Sequence, residues 1–184
     1  MIEKITNDIY KLNVDSNVYL IKNQNIIIDT GPKNYKDEVK QELSKITDLK
    51  KIKKVIFTHL HADHMGNFDL FPNAEFFTSK QEIEDFKKNK IGAILDPLLA
   101  VKFKVNLKPL KELQGFKVIN TPGHTKGSIC LFYEKEKLLF SGDTLFNNGI
   151  GRTDLPTSEE SKMEDSLNKL KKLDYKLLCP GHDY

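Results

Sequence analysis

Thr58-His59-Leu60-His61-Ala62-Asp63-His64 puts four side chains with metal-ligand chemistry within six residues. It follows Val55-Ile56-Phe57, an apolar run that predicts a buried strand delivering the chain into His59. His59 and His61 are two apart on an extended segment, so their imidazoles project to the same side. Asp63 and His64 follow where the chain bends toward Met65-Gly66-Asn67. Neutral imidazole and carboxylate suit zinc, iron or manganese, and a metal site needs this density of them.

The remaining histidines point the same way. The chain has five: His59, His61, His64, His124 and His182. All sit just past expected strands, His124 and His182 each directly after a glycine, and none is left over on a helix face. They therefore predict one centre, not scattered core histidines.

Working outward, strands are expected over Ile5 to Leu12, Asn17 to Lys22 and Ile26 to Ile28, the last running into Asp29-Thr30-Gly31-Pro32. Tyr35, Val39, Leu43 and Ile46 follow helical spacing. Ala74 to Phe77 is strand-like, and Ser79 with Glu82 forms a capping box opening a helix through Phe86. Lys90 to Glu112 is irregular, with Asp96-Pro97 and Lys108-Pro109 as breakers. Strands over Lys117 to Ile119 and Ser128 to Tyr133 flank Thr121-Pro122-Gly123-His124, and Lys137 to Phe140 follows. Thr157 with Glu160 caps a helix carrying Met163, Leu167, Leu170 and Leu173. Leu177-Leu178-Cys179 then leads into Pro180-Gly181-His182. Strands followed by helix, in two halves, predict two sheets packed face to face with helices outside.

Composition narrows the class. A chain of 184 residues suits one domain with a sizeable core. Cys130 and Cys179 lie far apart in apolar runs and read as buried small hydrophobes, not a disulfide framework. No long apolar stretch opens the chain, so a soluble cytoplasmic protein without membrane association is expected. The net charge of +3 is spread as mixed Lys and Glu. The run Lys50-Lys51-Ile52-Lys53-Lys54 has no aromatic interleaving and reads as a solvated loop, so no nucleic-acid partner is expected. Of 29 basic residues one is arginine, Arg152. An arginine kept among lysines suggests a place where a planar, bidentate donor is needed.

His59-Leu60-His61-Ala62-Asp63-His64 resembles the H-x-H-x-D-H signature of the metallo-β-lactamase superfamily. Asp29, Thr121-Pro122-Gly123-His124, Gly142-Asp143-Thr144 and Pro180-Gly181-His182 fall in that family's order, so the resemblance covers nearly the whole chain. It implies an αββα four-layer sandwich of the α/β class holding two divalent ions, zinc first, with iron or manganese as alternatives. By the same resemblance His59, His61 and His124 would hold the first ion, and Asp63, His64 and His182 the second. Asp143 would bridge both. Asp29 resembles the carboxylate that orients the ligand loop without touching metal; it reads alternatively as a turn-former before Gly31. Two metals about 3.5–4 Å apart can share a water and bring its pKa toward neutrality, so a bridging hydroxide would be the nucleophile. Asp63 would hydrogen-bond that hydroxide and aim it at a carbonyl.

The loop Thr144 to Asp154 resembles the glyoxalase II-like branch, which implies a small-molecule thioester substrate, S-lactoylglutathione or a smaller acyl thioester. Arg152 falls where glyoxalase II has a lysine gripping the glutathione carboxylate, and Asp154 replaces an aromatic residue of that branch. Arg152 reads either as an anion-binding substrate contact or as the partner of Asp154 fixing the loop. The helical C-terminal domain of glyoxalase II has no counterpart in these residues. The principal rival is a persulfide dioxygenase using one iron at the positions of His59, His124 and Asp143. A lactonase is a weaker alternative. Lys90 to Glu112 is expected to border the substrate cleft; its apolar members Ile94, Leu95, Leu98 and Leu99 read equally as a dimer contact.

Overall fold

The structure, a computed structural model, describes residues 2–183. A seven-stranded sheet comes first in the chain. Its strands are β1 (Ile2–Lys4), β2 (Ile9–Val14), β3 (Ser16–Ile21), β4 (Ile26–Ile28), β5 (Lys54–Ile56), β6 (Glu75–Thr78) and β7 (Leu107–Pro109), in that spatial order. β1 to β4 are antiparallel neighbours, and β4 to β7 run parallel. The second sheet holds β8 (Phe116–Asn120), β9 (Ile129–Tyr133), β10 (Leu138–Gly142) and β11 (Leu177–Pro180), ordered β11-β10-β9-β8. β10 and β11 are parallel. The helices are α1 (Lys36–Ser44), α2 (Ala62–Met65), α3 (Lys80–Lys88), α4 (Lys90–Ile94), α5 (Pro97–Lys102) and α6 (Met163–Leu170).

Strand periodicity divides the apolar residues into three layers. Ile26 and Ile28 face the second sheet with Tyr19, Ile56, Phe116, Leu131 and Phe140. Ile27, one residue between them, faces outward with Leu20, Val55 and Phe57 against Val39 and Leu43 of α1. On the far side, Cys130 and Leu139 meet Leu170 of α6. β3 and β4 are buried at every position, as strands covered on both faces must be. The expected αββα sandwich is thus the observed one.

Three local expectations differ. The strand expected over Ile5 to Leu12 begins at Ile9 as β2, residues 5–8 forming the turn that joins it to an unexpected strand, β1. Ser79 Oγ does accept the Glu82 amide (3.0 Å), but the Glu82 carboxyl turns into the protein instead of back to the cap. Thr157 does not cap α6, because a 3-10 turn at Glu160–Lys162 intervenes.

Positions of catalytic type collect at one edge. Asp29 follows β4, His59 follows β5, Asp143 follows β10 and His182 follows β11, all at the carboxyl ends of parallel strands. Such ends open into the crevice where ligands bind in α/β sheets.

Candidate metal centre

The structure brings all seven expected ligands together. One ligand atom each of His59, His61 and His124 lies within 4.8 Å of the others, and so do those of Asp63, His64 and His182. His59, His64 and Asp143 form a third such group that links the first two. Asp143 Oδ1 is 3.1 Å from His64 Nε2, and its Oδ2 is 3.6 Å from His124 Nε2 and 3.5 Å from His182 Nε2. It therefore sits between the clusters.

Four of the five rings are oriented from behind by a hydrogen bond that fixes which nitrogen carries the proton. His124 Nδ1 donates to the Arg152 carbonyl (2.8 Å), and His182 Nδ1 donates to the Asp15 carbonyl (3.0 Å). His64 Nδ1 donates to Asp29 Oδ2 (2.9 Å). Thr58 Oγ1 spends its proton on Asp29 Oδ2 (2.8 Å), so His59 Nδ1 donates to Thr58 at 3.1 Å. The Nε2 lone pairs of these four rings consequently turn inward. His124 Nε2 lies 2.9 Å from His61 Nδ1 and 3.2 Å from His59 Nε2, and His64 Nε2 lies 3.3 Å from His182 Nε2. The other nitrogen of His61, Nε2, is buried with no hydrogen-bond partner among the described residues. Acceptors crowded onto acceptors, with two carboxylates, are satisfied by cations between them. The residues fit a pair of divalent ions.

Asp29, already singled out in the sequence as a loop-orienting carboxylate, builds the frame together with residues that had no role there. Asp29, buried and at φ 55°, accepts the Thr58 amide (2.8 Å) as well as the two side-chain bonds above. Ser16 Oγ at the β2–β3 turn holds the Asp63 carbonyl (2.7 Å), and the Asn17 amide holds Gly181 (2.6 Å). Gly142 has φ 50°, and a Cβ there would lie 2.6 Å from Thr58 Oγ1, so glycine lets β10 approach the ligand loop. These contacts leave no periodic signal in the sequence.

Protons take the place of metal in the metal-free chain. Burial and the neighbouring imidazoles His64, His61 and His124 push His59 well below its ordinary value. Burial and His124 bring His61 down to about 3. Burial would also lower His64, but Asp143, Asp63 and Asp29 carry it well above the imidazole range. His182, against burial, is raised to about 9 by hydrogen bonds to Asp143 and Asp63. Burial favours the neutral acid in Asp143, yet His64 and a hydrogen bond from His182 hold it well below the carboxylate range. At neutral pH His64 and His182 therefore carry protons that a metal must displace. Metal uptake should release about two protons, and affinity should rise with pH as those protons are lost. Calorimetric zinc titrations in buffers of different ionisation heat read this directly. A binding heat independent of the buffer would contradict it.

The centre opens into a cleft of about 490 Å³ walled by Leu95, Phe146, Ile150 and Leu155, with Asn148 and Arg152 at its rim. Leu95 comes from the expected border segment 90–112. Arg152 is exposed, and Asp154 holds its guanidinium bidentately, Nε to Oδ1 at 2.7 Å and Nη2 to Oδ2 at 2.8 Å. Its carbonyl, not its charge, reaches the centre, through His124.

Comparison with known proteins gives four points of reference. The sequence profile of the metallo-beta-lactamase superfamily matches residues 13–182. A probable metallo-hydrolase of Methanocaldococcus jannaschii is 35% identical over 194 residues, covering 95% of this chain and 92% of its own. The hydroxyacylglutathione hydrolase of Francisella philomiragia is 33% identical over 171 residues, covering 90% of this chain but 62% of its own length. Among solved structures, TTHA1623 in a di-iron-bound form superposes with a TM-score of 0.68 over 100% of this chain and 92% of its own, at 21% identity, a likeness of fold.

Proposed function

The chain belongs to the metallo-beta-lactamase superfamily, and on that premise we propose that it is a metal-dependent hydrolase of thioesters, of S-lactoylglutathione or a smaller acyl thioester. The observation that carries the reading is the inward-facing ring of five imidazoles and two carboxylates at the floor of a cleft with apolar walls. Zinc is the ion proposed, since imidazole and carboxylate donors suit it.

When bound, two such ions supply an activated water at neutral pH and polarise the substrate carbonyl. His59, His61 and His124 would hold one and Asp63, His64 and His182 the other, with Asp143 shared. Asp63 is the least buried of the carboxylates and lines the cleft. Against burial, His64 and a hydrogen bond from His182 keep it ionised, at about 2. It is placed to accept a hydrogen bond from that water and to orient its oxygen toward the carbonyl. Apart from the candidate ligands, no His, Cys, Lys or Tyr lines the cleft among the described residues. A leaving group that must be protonated finds no evident donor there, whereas a thiolate departs as an anion. Leu95, Phe146, Ile150 and Leu155 would take the acyl and thiol carbons. Arg152 is proposed as the rim cation for an anionic thiol, exchanging its exposed Asp154 partner for substrate.

The test is hydrolysis of S-D-lactoylglutathione and of a short acyl thioester by zinc-loaded protein, followed by loss of thioester absorbance. Turnover of at least one, abolished by chelation and restored by zinc, is expected. No turnover of either by protein holding two ions would overturn the reading. Oxygen uptake by iron-loaded protein with glutathione persulfide would replace it with dioxygenation.

A further inference from the structure

Besides Asp29, a further buried carboxylate outside the ligand set touches the ligand loops. Glu82, on the first turn of α3, is 1% exposed. Its Oε2 accepts the amide of Leu60 (3.2 Å), the residue between His59 and His61. Its Oε1 accepts the hydroxyl of Thr125, the residue after His124, and the Gly127 amide bonds to it as well. Thr125 Oγ1 is in turn 2.8 Å from Ser128 Oγ, which accepts the Thr125 amide at 3.1 Å. A Cβ on Gly127 would lie 2.4 Å from the Glu82 amide nitrogen and 2.6 Å from its Cγ, so the loop 124–128 rests directly on α3. Burial raises the carboxyl to about 7, though Thr125 and Leu60 pull it the other way.

A buried acid is costly, and a bulky apolar residue would fill the space without that cost. What an apolar residue cannot do is bond both loops. The loops also meet through the Ile129 amide and the Thr58 carbonyl (3.0 Å), one residue before His59. Glu82 ties them beside the rings, where His61 Nδ1 and His124 Nε2 stand 2.9 Å apart. The cluster of Asp63, His64 and His182 is held by other groups, namely Asp29, Ser16 and Asp15.

We propose that Glu82 is a positioning residue that sets the spacing of the two ligand loops and thereby the affinity of the His59, His61 and His124 cluster for its metal ion. The inference rests on the metal-centre reading. Its signature is asymmetry: one cluster depends on Glu82 and the other does not.

Zinc affinity of metal-free Glu82→Ala, Glu82→Gln and Thr125→Val is measured by competition with a chromophoric chelator. Histidine-nitrogen NMR assigns each binding step to its rings, and thermal unfolding of the metal-free chains is recorded in parallel. Glu82→Ala should weaken the step at His59, His61 and His124 by roughly 10–100-fold, the usual effect of losing a ligand-orienting partner, and leave the His64 and His182 step unchanged. Glu82→Gln, which keeps an acceptor for Leu60 and a polar group for Thr125, should restore most of the loss. Thr125→Val, which removes one bond at nearly constant volume, should weaken the same step. Equal weakening of both steps, or no change in Glu82→Ala and Thr125→Val, overturns the proposal alone. A wild-type chain that binds no zinc overturns it together with the metal-centre reading.

Discussion

Asp143→Asn should cost the protein one of its two metal ions and at least roughly 10²–10³-fold in turnover, the scale on which loss of one charge-stabilising group at a reacting carbonyl is felt. The substitution is nearly isosteric, so the packing around residue 143 should persist. The change is electrostatic. Asp143 is the carboxylate within reach of rings from both clusters, 3.1 Å from His64, 3.5 Å from His182 and 3.6 Å from His124. An amide there leaves Asp63 as the one anionic donor among the seven candidates and removes the charge between two cations. Metal content by atomic emission, read beside the turnover number, checks it. An Asp143→Asn variant with two ions and full activity would exclude the shared-ligand role.

Removing metal should lower the midpoint of thermal unfolding by about 8–16 °C, restored by zinc. An ion at 1,000 times its dissociation constant contributes about 4 kcal/mol, and 1 kcal/mol moves the midpoint about 2–4 °C in a chain of this length. The direction follows from the geometry. Without a cation, the four inward Nε2 atoms and His61 Nδ1 face one another, and His64 and His182 must take up protons to relieve them. Scanning calorimetry over a series of buffered zinc concentrations should give a midpoint that climbs with free zinc. A midpoint indifferent to metal would mean that the cluster is stable without it.

Most of the centre was legible because its chemistry is local. His59, His61, Asp63 and His64 declare themselves by spacing, and each remaining ligand stands beside a turn-forming glycine or proline at a strand end. The layers were legible for a similar reason, since Ile26, Ile27 and Ile28 alternate between two apolar surfaces. Segment 90–112 was not. Asp96-Pro97 read as a breaker but starts α5, with Asp96 Oδ1 accepting the Leu99 amide (2.9 Å) and Pro97 in the first helical turn. Asn89 caps α4 in the same way. Pairing a cap with a proline gives the same dipeptide as ending a helix, and only packing separates them. Glu82 was misread for a related reason: its spacing from Ser79 fits a cap, whereas its partners Leu60 and Thr125 are 22 and 43 residues away. No local pattern encodes such a contact. Arg152 stood out by its rarity; of its two readings the structure shows the pairing with Asp154, and it adds the carbonyl that holds His124.

The tight turn between β2 and β3, where Asp15 holds His182 and Ser16 holds Asp63, joins positions 167 and 47 residues apart. Contacts between residues so far apart close long loops and are expected to form late on the folding route. A metal ion that needs them has little to grip in the transition state. Its binding energy should then be felt almost wholly on the way out, slowing unfolding while leaving the folding rate nearly untouched. The cofactor would act less as a nucleus for the fold than as a latch on the finished molecule, prolonging its lifetime against proteolysis and heat.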